Sequence, residues 1–148
     1  MNPTMKKLPA TFPANDKITL LAISPDEADC RSLKRILEKS RWTIQGASSF
    51  REATRLMNES DPNLILCEKD LPDGNWKDVF RQAGVLRTPP PVVVVSRQAD
   101  ERLWAEVLNL GGYDLLLKPF DGSEVTRVIG MASRCRNSVH RSPHSAVA

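Results

Sequence analysis

Leu64-Ile65-Leu66-Cys67-Glu68-Lys69-Asp70-Leu71-Pro72-Asp73-Gly74 is the stretch on which the reading of this chain turns. Four apolar residues in succession, closed by charge and then by Pro-Asp-Gly, read as a short strand buried on both faces that stops at a turn. Glu68 is the first charged side chain after that strand. In an open α/β sheet, the groups that meet a ligand sit just past the carboxyl ends of the strands. Glu68 is therefore a candidate site residue, and its company must come from the ends of other strands.

Working outward, Ile18 to Ile23 is a nearly continuous apolar run and predicts a buried first strand. Ser24-Pro25-Asp26-Glu27 then predicts a helix start, with serine as N-cap, proline at the first helical position and glutamate completing a capping box. Cys30, Leu33, Ile36 and Leu37 give that helix one apolar face. Trp42, Ile44 and Gly46 alternate with polar neighbours as in a half-covered strand. Ser49 and Glu52 repeat the capping-box spacing ahead of a stripe of Phe50, Ala53, Leu56 and Met57. Beyond Gly74, a helix from Asn75 to about Ala83 would turn Trp76, Val79 and Phe80 inward. Pro89-Pro90-Pro91 forbids helix and leads into the β-branched strand Val92 to Val95. Asp100 to Leu110 reads as a helix stopped by Gly111-Gly112, Leu115 to Leu117 as a fifth strand, and Asp121 with Glu124 as the cap of a last helix carrying Val125, Val128, Ile129 and Ala132.

Five apolar strands alternating with five amphipathic helices predict a single α/β domain: a parallel five-stranded sheet with helices on both faces. The domain is expected over 18–136. A Pro-rich, loosely docked or disordered arm is expected over 1–17, and a flexible polar tail over 137–148. A length of 148 residues favours one domain, and the 41% apolar and 26% charged composition is that of a globular protein. The net charge of +3 is too mild to argue for nucleic acid. No run is long enough for a membrane span, and Pro9 and Pro13 break the only stretch resembling a secretory signal. Cys30, Cys67 and Cys135 lack CxxC spacing, so free thiols in a reducing, cytoplasmic setting are expected.

The strand ends carry Asp26, Glu68, Ser96 and Lys118. One or two carboxylates, a hydroxyl and an ammonium converging on one sheet edge could hold a phosphoryl group or a divalent cation. Carboxylates are hard oxygen ligands, while lysine and hydroxyl engage anionic oxygens. Each residue also has a plain structural role available. Asp26 and Glu27 suit the first turn of a helix, Ser96 could close a turn, and Glu68 with Lys118 could be a structural ion pair. Trp42, Trp76 and Trp104 are expected in or against the core. The apolar surface of Leu103, Trp104, Val107, Leu108 and Leu110 is expected to be mostly buried, with a contact patch as the alternative. His140 and His144 fall in the polar tail, where no ordered helical setting is expected for a histidine phosphoryl role.

Leu71-Pro72-Asp73-Gly74, Ser96, and Leu110-Gly111-Gly112 leading to Lys118-Pro119-Phe120, in that order, resemble the receiver domain of bacterial two-component response regulators over about 18–136. The resemblance implies a flavodoxin-like (βα)5 fold with strand order 2-1-3-4-5. It also implies a phosphoacceptor aspartate three residues before Leu-Pro, where this chain has Glu68. Two adjacent acids for magnesium are implied where it has Pro25-Asp26, and an aromatic switch residue where it has Leu115. Ser96 and Lys118 match the phosphoryl-contact positions. Glutamate is one methylene longer than aspartate, and a misplacement of about 1 Å can cost about 100-fold in rate. Pro25 removes an anionic ligand, so Asp26 and Glu68 would bind Mg2+ weakly or not at all, and no other cofactor is implied.

The resulting expectation is an atypical, stand-alone receiver, not an enzyme, with the residues after Arg136 too few to form an output domain. It would not be phosphorylated at the usual site and would dock to a protein partner, a histidine kinase or a downstream effector, through the last two helices and the fifth strand. A homodimer is one option; nucleic acid and membrane are not expected partners. The alternative is a phosphoacceptor regulator in a phosphorelay still using Glu68 or a nearby acid, Asp70 or Asp73. A small nucleotide-binding enzyme is disfavoured because no Gly-rich phosphate loop follows the first strand and no nucleophile has its own base.

Overall fold

The computed structural model describes residues 18–98 and 100–141, with side chains described as far as residue 134. The expected arm over 1–17 and residues 142–148, including His144, lie outside the described residues, as do the side chains of Cys135 and His140.

The apolar runs become strands and the amphipathic stretches helices, in the order β1 (Ile18–Ile23), α1 (Glu27–Ile36), β2 (Trp42–Ala47), α2 (Phe50–Ser60) and β3 (Leu64–Glu68), then β4 (Asp70–Leu71), β5 (Gly74–Asn75) and α3 (Trp76–Gly84), then β6 (Val92–Ser96), α4 (Glu101–Leu110), β7 (Asp114–Leu117) and α5 (Gly122–Arg141). The five longer strands form one parallel sheet in the order β2-β1-β3-β6-β7. This is the flavodoxin-like five-stranded arrangement expected. β4 and β5 are an antiparallel two-residue pair across the Pro72-Asp73 turn, a feature the sequence reading treated only as a turn.

Strand parity sorts the core into two layers. Leu21, Ile23, Ile65, Cys67, Val92, Val94 and Leu115 pack with Ala53, Met57, Val79, Ala83, Leu103 and Val107 of α2, α3 and α4. Their neighbours Leu20, Ala22, Leu64, Leu66, Val93, Val95 and Leu116 pack with Leu33 and Leu37 on the α1 side and with Val125, Val128, Ile129 and Ala132 of α5. β3 is covered on both faces, with Leu64, Ile65, Leu66 and Cys67 all buried. That accounts for its unbroken apolar run.

Helix ends follow local chemistry, with three departures from expectation. Asp26, not Ser24, caps α1: its Oδ1 accepts from the Ala28 amide at 2.9 Å. Ser24 is diverted because its hydroxyl donates to the carboxylate of Asp29 at 2.6 Å. Asn75 caps α3 in a full capping box with Asp78. Ser49 caps α2 as expected, but Glu52 accepts from the Ser48 amide at 2.9 Å, one residue upstream of the capping-box position. Gly111 ends α4 with φ 108°, a left-handed conformation that favours glycine. The backbone of α5 is helical through Arg141, past residue 136, with no Gly or Pro between Met131 and Arg141 to stop it.

The surface of α4 departs from the expected burial. Leu103 and Val107 face the core, but Trp104 is 50% exposed and Leu108 and Leu110 also reach solvent. A ten-residue helix with only two buried positions cannot hide so wide an apolar stripe. Trp76 is buried and Trp42 lies partly buried against the α1/α5 layer, as expected. Cys67 is buried, whereas Cys30 on α1, facing Gly46 of β2, is only half-buried.

Candidate functional site

The same parity that divides the core selects which strand-end side chains can meet. Residues 64 and 66 of β3 face α1 and α5, so Glu68 continues onto that side. Residues 20 and 22 of β1 carry Ser24 to the same side, and Leu116 of β7 carries Lys118 there. The result is a cluster in which Lys118 Nζ lies 2.6 Å from Glu68 Oε1 and 2.7 Å from Asp29 Oδ2. The three side chains are only 6%, 17% and 11% exposed for Lys118, Glu68 and Asp29. Ser24 Oγ donates to the same Asp29 oxygen. The contact with Asp29 is a hydrogen bond, whereas Glu68 Oε1 is buried and meets the ammonium as an ion contact without hydrogen-bond alignment.

Asp29 is the member of this cluster that sequence reasoning missed. It sits in the first turn of α1 rather than directly after a strand. The signal was present in the i, i+4, i+8 series Asp29, Leu33, Leu37, which puts the acid on the helix face turned to the sheet. The α1 N-terminus also favours a carboxylate there.

Electrostatics follow from this geometry. Burial pulls the Lys118 ammonium toward losing its proton, but the two carboxylates of Asp29 and Glu68 held against it outweigh that. The net effect raises its pKa above the ordinary lysine value. Burial, with Glu68 adding to it, pushes the Cys67 thiol far above the usual cysteine range. Cys67 therefore stays protonated and unreactive behind the site.

The other expected site residues fall elsewhere. Asp26 is exposed and spends its carboxylate on the α1 cap, and Pro25 is exposed beside it. Ser96 belongs to the β6 parity of residues 92 and 94, which face α2–α4. Its hydroxyl donates to the Gln98 carbonyl at 3.0 Å and accepts from the Gln98 amide at 3.1 Å, closing a turn. Leu115 is buried in the α2–α4 layer. Of the alternative acids, Asp70 is exposed beside Lys69. Asp73 accepts from the backbone amides of Phe50 and Arg51 at 2.7 and 3.0 Å, which holds its pKa below the ordinary aspartate value. It caps α2 from the far side of a loop.

Among the described residues, the carboxylates at this sheet edge are not arranged as a free donor set for a divalent cation. Asp26 and Glu68 are not brought together. The two carboxylates that do converge are both engaged by Lys118. Among the described residues, no group of three or more His, Cys, Asp or Glu could hold a metal ion. The cavity between Ser24, Asp29, Glu68 and Phe120 is about 10 Å³, at the lower limit for one water. Mg2+ binds in near-octahedral geometry and keeps several waters.

Comparisons with known proteins accord with this architecture. The response regulator receiver domain family matches residues 21–130. The DNA-binding transcriptional regulator NtrC of Rhizobium meliloti is 28% identical over 114 residues, which are 77% of this chain and 24% of that protein. The chemotaxis protein CheY of Thermotoga maritima is 24% identical over 103 residues, 69% of this chain and 86% of that protein. The chain thus spans about a quarter of the first relative and most of the second. Among solved structures, a two-component response regulator from Clostridium difficile superposes with a TM-score of 0.71 at 26% identity, covering 80% of this chain and 97% of that one. A CheY-like receiver domain protein from Methanospirillum hungatei gives 0.74 at 22%, covering 83% and 98%. A family match across most of the chain, on a parallel sheet of the expected strand order with its acid at the end of the central strand, means that the chain belongs to the response regulator receiver domain family.

Proposed function

We propose that this chain is a receiver of phosphorelay signal transduction that no longer accepts a phosphoryl group at its strand-edge acid and signals by docking to a protein. The observation that carries this reading is the contact between Glu68 Oε1 and Lys118 Nζ at 2.6 Å. The longer acid reaches the ammonium directly and engages the lysine that would otherwise meet a phosphoryl oxygen. A carboxylate on this lysine partly imitates a phosphorylated aspartate, without the additional charge and acceptor oxygens of phosphate. Ser96, turned to the other face of the sheet, offers its hydroxyl to Gln98 instead.

The docking surface in this reading is the side formed by α4, β7 and the start of α5. Trp104 and Leu117 are 50% and 44% exposed there. With Leu115, Asp100, Glu101, Arg102 and Glu124 they line an open groove of about 820 Å³. The partner is a histidine kinase or a downstream effector, encountered in the cytoplasm. Among the described residues, no helix is long and apolar enough to cross a membrane.

Incubation with acetyl phosphate and Mg2+, read by intact mass, tests the proposal. No phosphoryl increment is expected. A stoichiometric increment mapped to Glu68 overturns it, and one mapped to Asp70 or Asp73 favours the phosphorelay alternative.

A further inference from the structure

Two carboxylates and one hydroxyl are organised around a single positive centre at the sheet edge, and the four side chains come from four separate places along the chain. Glu68 ends β3, Ser24 follows β1, Asp29 lies in the first turn of α1, and Lys118 follows β7. The oxygens of Asp29 and Glu68 stand 2.7 and 2.6 Å from the ammonium, and Ser24 Oγ stands 2.6 Å from the Asp29 oxygen that the ammonium also uses. Hard oxygen donors converging on one charge are what a divalent cation would recruit. Here that charge is carried on a side chain. A tethered cation is always present and cannot be removed by a chelator.

We propose that Lys118 is the resident cation of this pocket, held by Asp29 as well as by Glu68, and that the chain therefore has no divalent-cation requirement. The proposal rests on reading the pocket as closed to phosphoryl transfer. A metal ion competes with the ammonium for the same two carboxylates and gains access to them only when the ammonium leaves. Asp29 is a positioning residue in this account. Its hydrogen bond to Lys118 spans 89 positions of sequence, and Ser24 fixes its carboxylate by donating to it.

The test is Mn2+ binding followed by electron paramagnetic resonance on the full chain. The wild type is expected to show no saturable uptake. Lys118→Met, which removes the positive charge and leaves the two carboxylates, is expected to bind one equivalent at least about tenfold more tightly, and adding Asp29→Asn to that variant is expected to abolish the gain. Saturable binding by the wild type, or a folded Lys118→Met variant with no gain, overturns the proposal. If Lys118→Met does not fold, NMR of the wild-type lysine ammonium groups decides: the Lys118 signal is expected to stay unmoved through a Mg2+ titration, and a saturating shift overturns the proposal. Phosphoryl transfer to Glu68 without Mn2+ binding would sink the docking-only function and leave the resident lysine standing. Mn2+ binding without phosphoryl transfer would do the reverse.

Discussion

At the scale of single residues, the pocket turns on Lys118, whose ammonium lies 2.6 Å from Glu68 and 2.7 Å from Asp29. Removing Lys118 leaves two largely buried carboxylates facing each other without a counter-ion. Breaking one partner out of a buried ion pair typically costs about 3–5 kcal/mol. Lys118→Ala is accordingly expected to lose about 3 kcal/mol of stability or more, measured by urea unfolding at pH 7. The pH dependence has a defined sign. The Lys118 pKa is raised on folding, so its contribution is fully present below the ordinary lysine value of 10.5 and is lost as pH rises through the higher folded value. Alkaline unfolding of the wild type above that point should be steeper than that of Lys118→Met. Of this site, the pairing of Glu68 with Lys118 was legible because both follow apolar strands of a parallel sheet. The cap made by Asp26 and the turn closed by Ser96 were legible only as structural alternatives to a site role. Position along the chain locates a strand end but says nothing of which face the next side chain takes.

At the scale of elements, the helix ends hold the unexpected chemistry. Asp73 was legible only as part of a Pro-Asp-Gly turn, because its partners, the amides of Phe50 and Arg51, are more than twenty residues away. Those hydrogen bonds lower its pKa. The stabilisation is therefore present above the ordinary aspartate value of 3.8 and fades as pH falls through the lower folded value. Asp73→Ala is expected to lower the melting temperature at pH 7, with the difference from wild type shrinking toward pH 2; thermal scans across that range check it. Gly111 presents a steric case. A Cβ there would meet Phe80 Cζ at 2.6 Å, in a backbone conformation that L side chains rarely adopt. Gly111→Ala is expected to cost at least about 1 kcal/mol by denaturant unfolding. Its role as a helix stop could be read directly from Leu110-Gly111-Gly112, since a glycine pair after the last apolar position of a helix has few other uses.

At the scale of the whole molecule, strand order and layering were legible because every long strand announces itself as an apolar run. What the runs could not tell was how much of α4 the sheet covers. Trp104 was expected against the core and is half exposed, so Trp104→Phe should change stability by no more than about 0.5 kcal/mol. The same substitution should remove most of the acrylamide-quenchable tryptophan fluorescence, because Trp76 is 2% exposed and Trp42 is partly covered. The bond from Asp73 to α2 has a practical corollary for anyone building sensors or fusions from this protein. A solvent-facing Pro-Asp-Gly tip would ordinarily be chosen for splicing in a tag or a fluorescent module. Here the tip is a fastener between two neighbouring segments, and a graft between Pro72 and Asp73 would pull it open.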